Sequence, residues 1–483
     1  MHRQNSIDKH IYTIVKVFIG LFAIIFINLA YIQIYQAEDL LKDSHNSHVA
    51  EKALQVQRGK ILDRNGVVLA DTTVEKDGFK RVYPYGEIFA SPIGYVSDKL
   101  GYAGIESTQN TYLAGNNLVL HALGPISQIF EQNVGNDVHL TLNADYQQAA
   151  YDALGNRKGA VVVLNRKTGT AVLVDVRTGE VLAMVSRPMF NPNTIDEDWD
   201  NLRVDENSPL LNRASQGLYP PGSVIKPMIG DGVLTSGVAT TDTVVNCTGA
   251  LQLSGGYSLS DSSGEVHGGV NLAKAIEESC NSYFGTMGIR LGSDGLKETF
   301  SRFGYDQELD TDFINNKPQL PDFDNLSDGE LAQVGIGQST LLVTPLRMSM
   351  LAGSIGNEGI MMKPFVVNAI TAPDNSILEQ HQPMTWRQVS SPETINIIYE
   401  DMKNVINHGT GTRAKVPGIE MIGKTGTAEN STGKDHAWFI GCANMPNEDI
   451  AFAVIVENSG FGGSEAAPII KNILTSILAK EGK

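Results

Sequence analysis

Apolar and polar positions fall into distinct regimes along this chain. The first is an apolar run, VFIGLFAIIFINLAYIQI at residues 17–34, in which only Asn28 and Gln33 are strongly polar. About 18 residues at 1.5 Å each nearly cover a hydrocarbon core about 30 Å thick, so the run predicts a membrane-crossing helix. A core helix would keep a polar face, and a cleaved signal sequence would be shorter and end at small residues. Arg3, Lys9 and Lys16 precede the run, whereas Glu38 and Asp39 follow it. That asymmetry predicts a single-pass anchor in the cell membrane, with the N-terminus cytoplasmic and everything beyond about Gln36 outside.

Residues 38–52 are charged and amphipathic, the pattern of a stalk. RGKILDRNGVVLA, at 58–70, places Arg64-Asn65-Gly66 between two short apolar runs and predicts a hairpin. Further Gly and Asn punctuation and a periodic segment at 145–154 complete a small irregular module. From Gly159, GAVVVLNRKTG, TAVLVDVRTG and EVLAMVSRP repeat β-branched runs ten residues apart, separated by Lys/Arg-Thr-Gly turns, as in an antiparallel meander. After Ser223 the pattern reads as helical to about Phe300, with interruptions around Gly255 and Gly264. Ser391-Pro392 predicts another helix start. The tail gives three strands (GIEMIGKTGTAE, HAWFIGCA, EDIAFAVIVE) and a closing amphipathic helix. Strands, then helices, then strands predict an α+β fold, an antiparallel sheet flanked by helices. The expected division is 1–36 (tail and anchor), 37–155 (extracytoplasmic module) and 156–483 (main domain).

Composition narrows the function. The chain has 483 residues and a net charge of −17, with no cationic excess to displace phosphate counterions, so nucleic acid is not an expected partner. Cys247, Cys280 and Cys442 are odd in number and widely spaced. Along the chain they form no zinc pattern and no disulfide framework, so neither metal nor cofactor is expected.

The informative stretch is YPPGSVIKP. Ser223 and Lys226 stand three apart at a helix start, where i and i+3 side chains share a face, so a hydroxyl nucleophile lies beside a base. Alone, SxxK is commonplace. Two further elements follow it: Ser279 and Asn281 in SCNSYF, and Lys424, Thr425, Gly426 and Thr427 in KTGTAE. Ser44-His45-Asn46 also fits SxN, and Lys167-Thr168-Gly169-Thr170 also fits KTGT, but one lies in the stalk and the other in a meander turn before the serine. Only the set at 223–226, 279–281 and 424–427 runs in the order SxxK, SxN, KTG. His436, Trp438 and Glu429 lie nearby and read mainly as packing, as does Cys280.

That ordered trio is the signature of β-lactamases and penicillin-binding proteins. RGKILDRNGVVLA resembles the start of the pedestal module of class B penicillin-binding proteins. GAVVVLNRKTG, LLNRASQGLYPPGSVIKP, HGGVNLAKAIEESCNSYF, GQSTLLVTPLRM and DHAWFIGCA resemble that family's transpeptidase domain. The likeness covers nearly the whole chain. It departs at Ser339, where a glycine is common, and by one extra turn in the meander.

The resemblance implies a membrane-anchored pedestal carrying a serine β-lactamase-like domain that cross-links peptidoglycan stem peptides and is acylated by β-lactams. It implies these roles: Ser223 attacks the D-Ala-D-Ala carbonyl, Lys226 takes its proton, and Ser279 relays a proton to the leaving D-Ala. Asn281 orients Lys226 and the donor peptide, and Lys424 sustains the positive field. Thr425, Gly426 and Thr427 receive the substrate carboxylate, and the backbone N–H groups of Ser223 and Thr427 form the oxyanion hole. It also implies an inner-membrane partner, a polytopic glycosyltransferase of the SEDS (shape, elongation, division and sporulation) family. A mainly non-catalytic activator of that polymerase is the alternative function.

Overall fold

The computed structural model describes residues 4–31, 56–76, 78–115, 134–155, 169–430 and 433–481. Its centre is a five-stranded antiparallel sheet in the order Met421–Ala428, His436–Asn444, Asp449–Val456, Gly169–Asp175, Val181–Arg187. These strands are apolar on both faces because both are covered. Leu173, Phe439, Phe452 and Val454 join Ile470, Ile473 and Leu474 of the closing helix Ala467–Glu481, with Tyr146 and Ala150 of helix Ala144–Leu154. Val172, Val174, Ile440 and Ala453 belong to the opposite core, which contains Met348, Leu351 and Ile355 of helix Pro345–Gly356. Period-two alternation along each strand thus divides one sheet between two cores. Met421–Ala428 is left at an edge, which is where the site forms.

Both described meander runs pair as expected, Gly169–Asp175 with Val181–Arg187. Asp175 closes their turn by accepting from the Arg177 and Thr178 amides at 2.8 and 2.9 Å. The first run, GAVVVLNRKTG, the stalk, and the Lys167-Thr168 and Ser44-His45-Asn46 decoys lie wholly or largely outside the described residues. The hairpin at Arg64-Asn65-Gly66 is present: Ile61 pairs with Ala70 and Leu62 with Val68, and Gly66 has φ +83°. Ser391 caps helix Pro392–Asn407 through the Thr394 amide.

The helical reading from 223 to 300 needs correction. Helix Lys226–Ser236 gives way to two short hairpins, Val245–Cys247 with Gly268–Val270 and Ala250–Gln252 with Ser258–Ser260, before Leu272–Glu277 and Asn281–Arg302 resume. Between 236 and 271 the chain carries seven glycines and six serines but no 3.6-residue apolar period, so local turn chemistry prevails.

The smaller module is built on a second sheet, in the order Ile377–Gln380, Val367–Thr371, Asp137–Leu140, Ile61–Leu62, Val68–Glu75, Gly78–Val82. Two of its six strands come from residues 367–380, so the main domain contributes a hairpin to the module. Inside the module, Glu106 is fully buried and accepts from Arg58 at 2.7 Å and Arg81 at 2.6 Å.

The N-terminal helix Gln4–Tyr31 leaves the apolar side chains of its described part uncovered, with Phe26 72% exposed. Among the described residues no helix is long and apolar enough to cross a membrane, and the run expected to do so continues into residues 32–34, outside them.

Candidate active site

Ser223 sits in a 3-10 turn, Gly222–Ile225, and Lys226 opens the helix that follows. Pro227 is tolerated because the first helical turn has no intrahelical N–H bond to lose. Gly222 is required here. It adopts φ +55°, and a Cβ on it would stand 2.6 Å from the Thr427 carbonyl oxygen. Gly426 makes the reciprocal allowance, since a Cβ there would come within 2.8 Å of Val224. Two missing side chains therefore let the nucleophile turn lie against the KTGT strand edge. The turn is also held by hydrogen bonds from the Gly222 amide to the Gly337 carbonyl at 2.8 Å and from the buried Trp438 indole to the Pro220 carbonyl at 3.0 Å.

Ser223 is half-buried, and Lys226 and Lys424 are wholly buried. Both lysines converge on Ser279. Lys226 Nζ donates to the Ser279 carbonyl at 2.6 Å and Asn281 Oδ1 at 2.7 Å, and lies 3.3 Å from Ser279 Oγ. Lys424 Nζ approaches the same hydroxyl at 2.9 Å and the Thr425 carbonyl at 3.0 Å. Ser279 itself is held at φ +61°, a left-handed conformation costly for a non-glycine residue and typical of functional sites. Burial pushes the Lys226 ammonium down to about 7, against the opposing influence of Cys280 and Asp261. Burial, and then Lys226, hold Lys424 well below the ordinary lysine range. Two adjacent dry amines cannot both stay charged at little cost, so the pair supplies a proton acceptor beside a positive field.

Along the KTGT strand, alternation puts Thr425 and Thr427 on the face opposite Lys424. Thr425 Oγ1 shares a hydrogen bond of 2.6 Å with Thr410 Oγ1. Half-buried Ser223, two lysines, a serine and a carboxamide at one sheet edge can perform nucleophilic acyl transfer.

A family model described as the penicillin binding protein transpeptidase domain matches residues 169–475. The chain belongs to this family. A second model, the penicillin binding protein A dimerisation domain, matches residues 58–136 of this penicillin-binding protein. The chain is similar to the peptidoglycan D,D-transpeptidase PbpA of Mycolicibacterium smegmatis, 30% identical over 96% of this chain and 97% of the relative. It is 32% identical to the peptidoglycan D,D-transpeptidase MrdA of Acinetobacter baumannii, over 80% of this chain but 64% of that longer relative. Among solved structures, the ceftriaxone acyl-enzyme complex of Mycobacterium tuberculosis penicillin-binding protein A superposes with a TM-score of 0.80 at 29% identity, covering 89% of this chain and 100% of the other. The D,D-transpeptidase domain of a peptidoglycan glycosyltransferase from Eggerthella lenta gives a TM-score of 0.79 at 30% identity, covering 89% and 99%.

The penicillin-binding fold thus brings Lys226, Ser279, Asn281 and Lys424 together beside the Ser223 turn, with Gly426 and the Thr427 carbonyl against that turn, whereas Thr425 is buried against Thr410. His436 and Trp438 line the back of the nucleophile turn, where His436 packs edge-on to Tyr219 and accepts from the Asn458 amide at 3.1 Å. Glu429 is exposed.

Sequence reasoning missed Asp261. Its carboxylate accepts from the Asn281 amide and the Ser282 hydroxyl, each at 2.5 Å, and so ties the SxN turn to a hairpin. Linear cysteine spacing carries no trace of contacts made across the fold. In space, Cys247, Asp261, His267 and Cys280 bring one donor atom each to within 4.8 Å of one another, directly behind Ser279 and Asn281.

Proposed function

We propose that this protein is a peptidoglycan D,D-transpeptidase, a serine acyl-transfer enzyme that cross-links stem peptides and is acylated by β-lactams. The observation that carries the reading is the convergence of Lys226, Ser279, Asn281 and Lys424 beside the Ser223 turn, at the edge strand that bears KTGT. Ser223 Oγ attacks the penultimate D-Ala carbonyl, and its proton passes to the neutral amine of Lys226. The backbone N–H groups of Ser223 and Thr427 stabilise the oxyanion. Ser279, bridged by both lysines, passes a proton to the departing D-Ala. Thr425 and Thr427 hold its carboxylate, and an acceptor amine then resolves the acyl-enzyme. Asn281 fixes Lys226 through the 2.7 Å bond to its Oδ1.

The uncovered apolar side chains at residues 15–29 of helix Gln4–Tyr31 and the run continuing beyond it support a single-pass anchor, because a bilayer is the surrounding that covers such side chains. The catalytic domain then lies outside the membrane. Residues 37–155, which contain no catalytic constellation among the described residues, serve as the pedestal that meets a polytopic SEDS-family glycan polymerase.

Fluorescent penicillin followed by peptide mapping tests the catalytic reading. The label should sit on the peptide containing Ser223, and Ser223→Ala should lose it while melting within a few degrees of the wild type, because a half-buried Ser to Ala change costs little.

A further inference from the structure

A surface depression of about 510 Å³ adjoins the SxN turn. Three segments wall it: residues 265–267, then Lys274, Glu277 and Glu278 on and just after helix Leu272–Glu277, and the loop 408–410 that follows helix Pro392–Asn407. We propose that this depression is the acceptor subsite, which draws in the protonated amine of the second stem peptide before that amine resolves the acyl-enzyme. The inference rests on the transpeptidase reading.

Placement is the first support. Glu278 immediately precedes Ser279, and the left-handed conformation of Ser279, φ +61°, carries the chain from the depression into the catalytic centre in one residue. The loop 408–410 closes on the turn because Gly409 has no side chain: a Cβ there would stand 2.6 Å from the Glu277 carbonyl oxygen. Thr410 then reaches the KTGT strand through its 2.6 Å hydrogen bond with Thr425 Oγ1. The depression thus borders Ser279, which hands a proton to the departing D-Ala nitrogen. By microscopic reversibility the attacking nitrogen enters where the departing one left, so the acceptor extends from Ser279 on this side.

Charge is the second support. Glu265, Glu277 and Glu278 face one ammonium, Lys274, whose Nζ already donates to the His267 carbonyl at 2.7 Å. Among the described residues, the Glu277 carboxylate makes no hydrogen bond or ion pair. The His267 side chain, 8% exposed, turns Nε2 toward the same wall, 3.7 Å from Glu265 and 3.9 Å from Glu278. That nitrogen is buried without a hydrogen-bond partner, a polar atom that a ligand would satisfy. Three carboxylates repel an anion and favour a cation. The volume falls within the range of about 300–1,000 Å³ usual for ligand pockets, far above what a bare ion needs, so a cationic side chain of a peptide is the fitting occupant.

The step balances. The acceptor arrives as an ammonium and gives one proton to a carboxylate of the depression, from which it passes to solvent. The free amine attacks the acyl carbonyl carbon, and the carbon–nitrogen bond forms as the bond to Ser223 Oγ breaks. The second ammonium proton passes to Ser223 Oγ through the neutral amine of Lys226.

The test follows one acyl-enzyme to two products. The full chain in detergent is acylated by a D-alanyl thioester in the presence of a tripeptide ending in L-lysine or meso-diaminopimelate, and the amide is measured against the hydrolysed acid. Both products leave one intermediate, so their ratio does not depend on how fast a variant acylates. On the wild type, amide should saturate with tripeptide. A trimethyl-lysine tripeptide, cationic but unable to attack, should compete, and the neutral acetyl-lysine tripeptide should not. Glu277→Gln/Glu278→Gln should raise the half-saturating tripeptide concentration about fivefold or more, and Glu393→Gln should leave it unchanged. Amide formed with neither tripeptide, equal competition by the cationic and neutral analogues, or wild-type half-saturation in the double variant would each overturn the subsite while acylation, and with it the transpeptidase reading, stands. A wild type that neither the thioester nor penicillin acylates would overturn both. The two analogues are compared on the wild type, so that arm does not depend on any variant folding.

Discussion

At residue scale the site turns on the protonation of Lys226. Burial pushes its amine down to about 7, so the neutral, proton-accepting form grows as pH rises through that value. Acylation by penicillin should therefore rise about tenfold per pH unit below 7 and level off above it. A pH–rate profile that stays flat from 5 to 8, roughly the range around that value, would remove Lys226 as the base. Lys424→Ala should also slow acylation severely, and Lys167→Ala should leave it unchanged. Equal rates for the two would mean that the wrong KTGT copy had been selected. Ser339 offers a test independent of catalysis. It replaces the glycine common after Gly337-Gln338 in the family, and the structure holds it exposed at φ +71°. A left-handed residue with a Cβ costs about 1–2 kcal/mol, and glycine returns part of that in chain entropy, so Ser339→Gly should stabilise by about 0.5–1 kcal/mol in denaturant titration.

At the scale of elements, the sequence was most legible where a single physical rule acts. β-Branched apolar runs became the strands of the central sheet, Asn-Gly became a hairpin turn, and Ser391-Pro392 became a capped helix start. The stretch from 236 to 271 was misread because its hairpins are held by long-range partners. Asp261 grips the SxN turn, and that contact leaves no periodic trace. The grouping of Cys247, Asp261, His267 and Cys280 was invisible for the same reason, since they come from a strand end, two hairpin loops and a helix cap. The pedestal holds a buried element of its own, Glu106 between Arg58 and Arg81. Burial alone would raise the Glu106 carboxyl, but Arg81 and Arg58 more than reverse this and its pKa is lowered. The stability it confers is complete above the ordinary glutamate range and is lost as pH falls through the lowered value. Glu106→Ala leaves two buried cations unpaired and should cost about 3–5 kcal/mol, read as earlier unfolding of the pedestal. Unchanged stability would show that water compensates the arginines.

At the scale of the whole molecule, the two sheets are interlocked, because residues 367–380 leave the main domain to complete the pedestal sheet. The order SxxK, SxN, KTG was readable along the chain, but the mutual approach of the turn and the strand edge depends on Gly222, Gly426 and Trp438, whose importance appears only in three dimensions. If the pedestal meets a polymerase, charge reversals on its exposed residues between 58 and 110 should weaken co-purification and glycan polymerisation while penicillin acylation continues. Full polymerase stimulation by those variants would reduce the pedestal to a spacer. The central claim is that one serine, activated by two buried lysines, carries the acyl group. The most direct measurement is intact-protein mass after penicillin treatment, for wild type and Ser223→Ala. The account predicts one penicilloyl adduct per wild-type chain, mapped to Ser223, and none on the variant. Stoichiometric adduct on Ser223→Ala would contradict it.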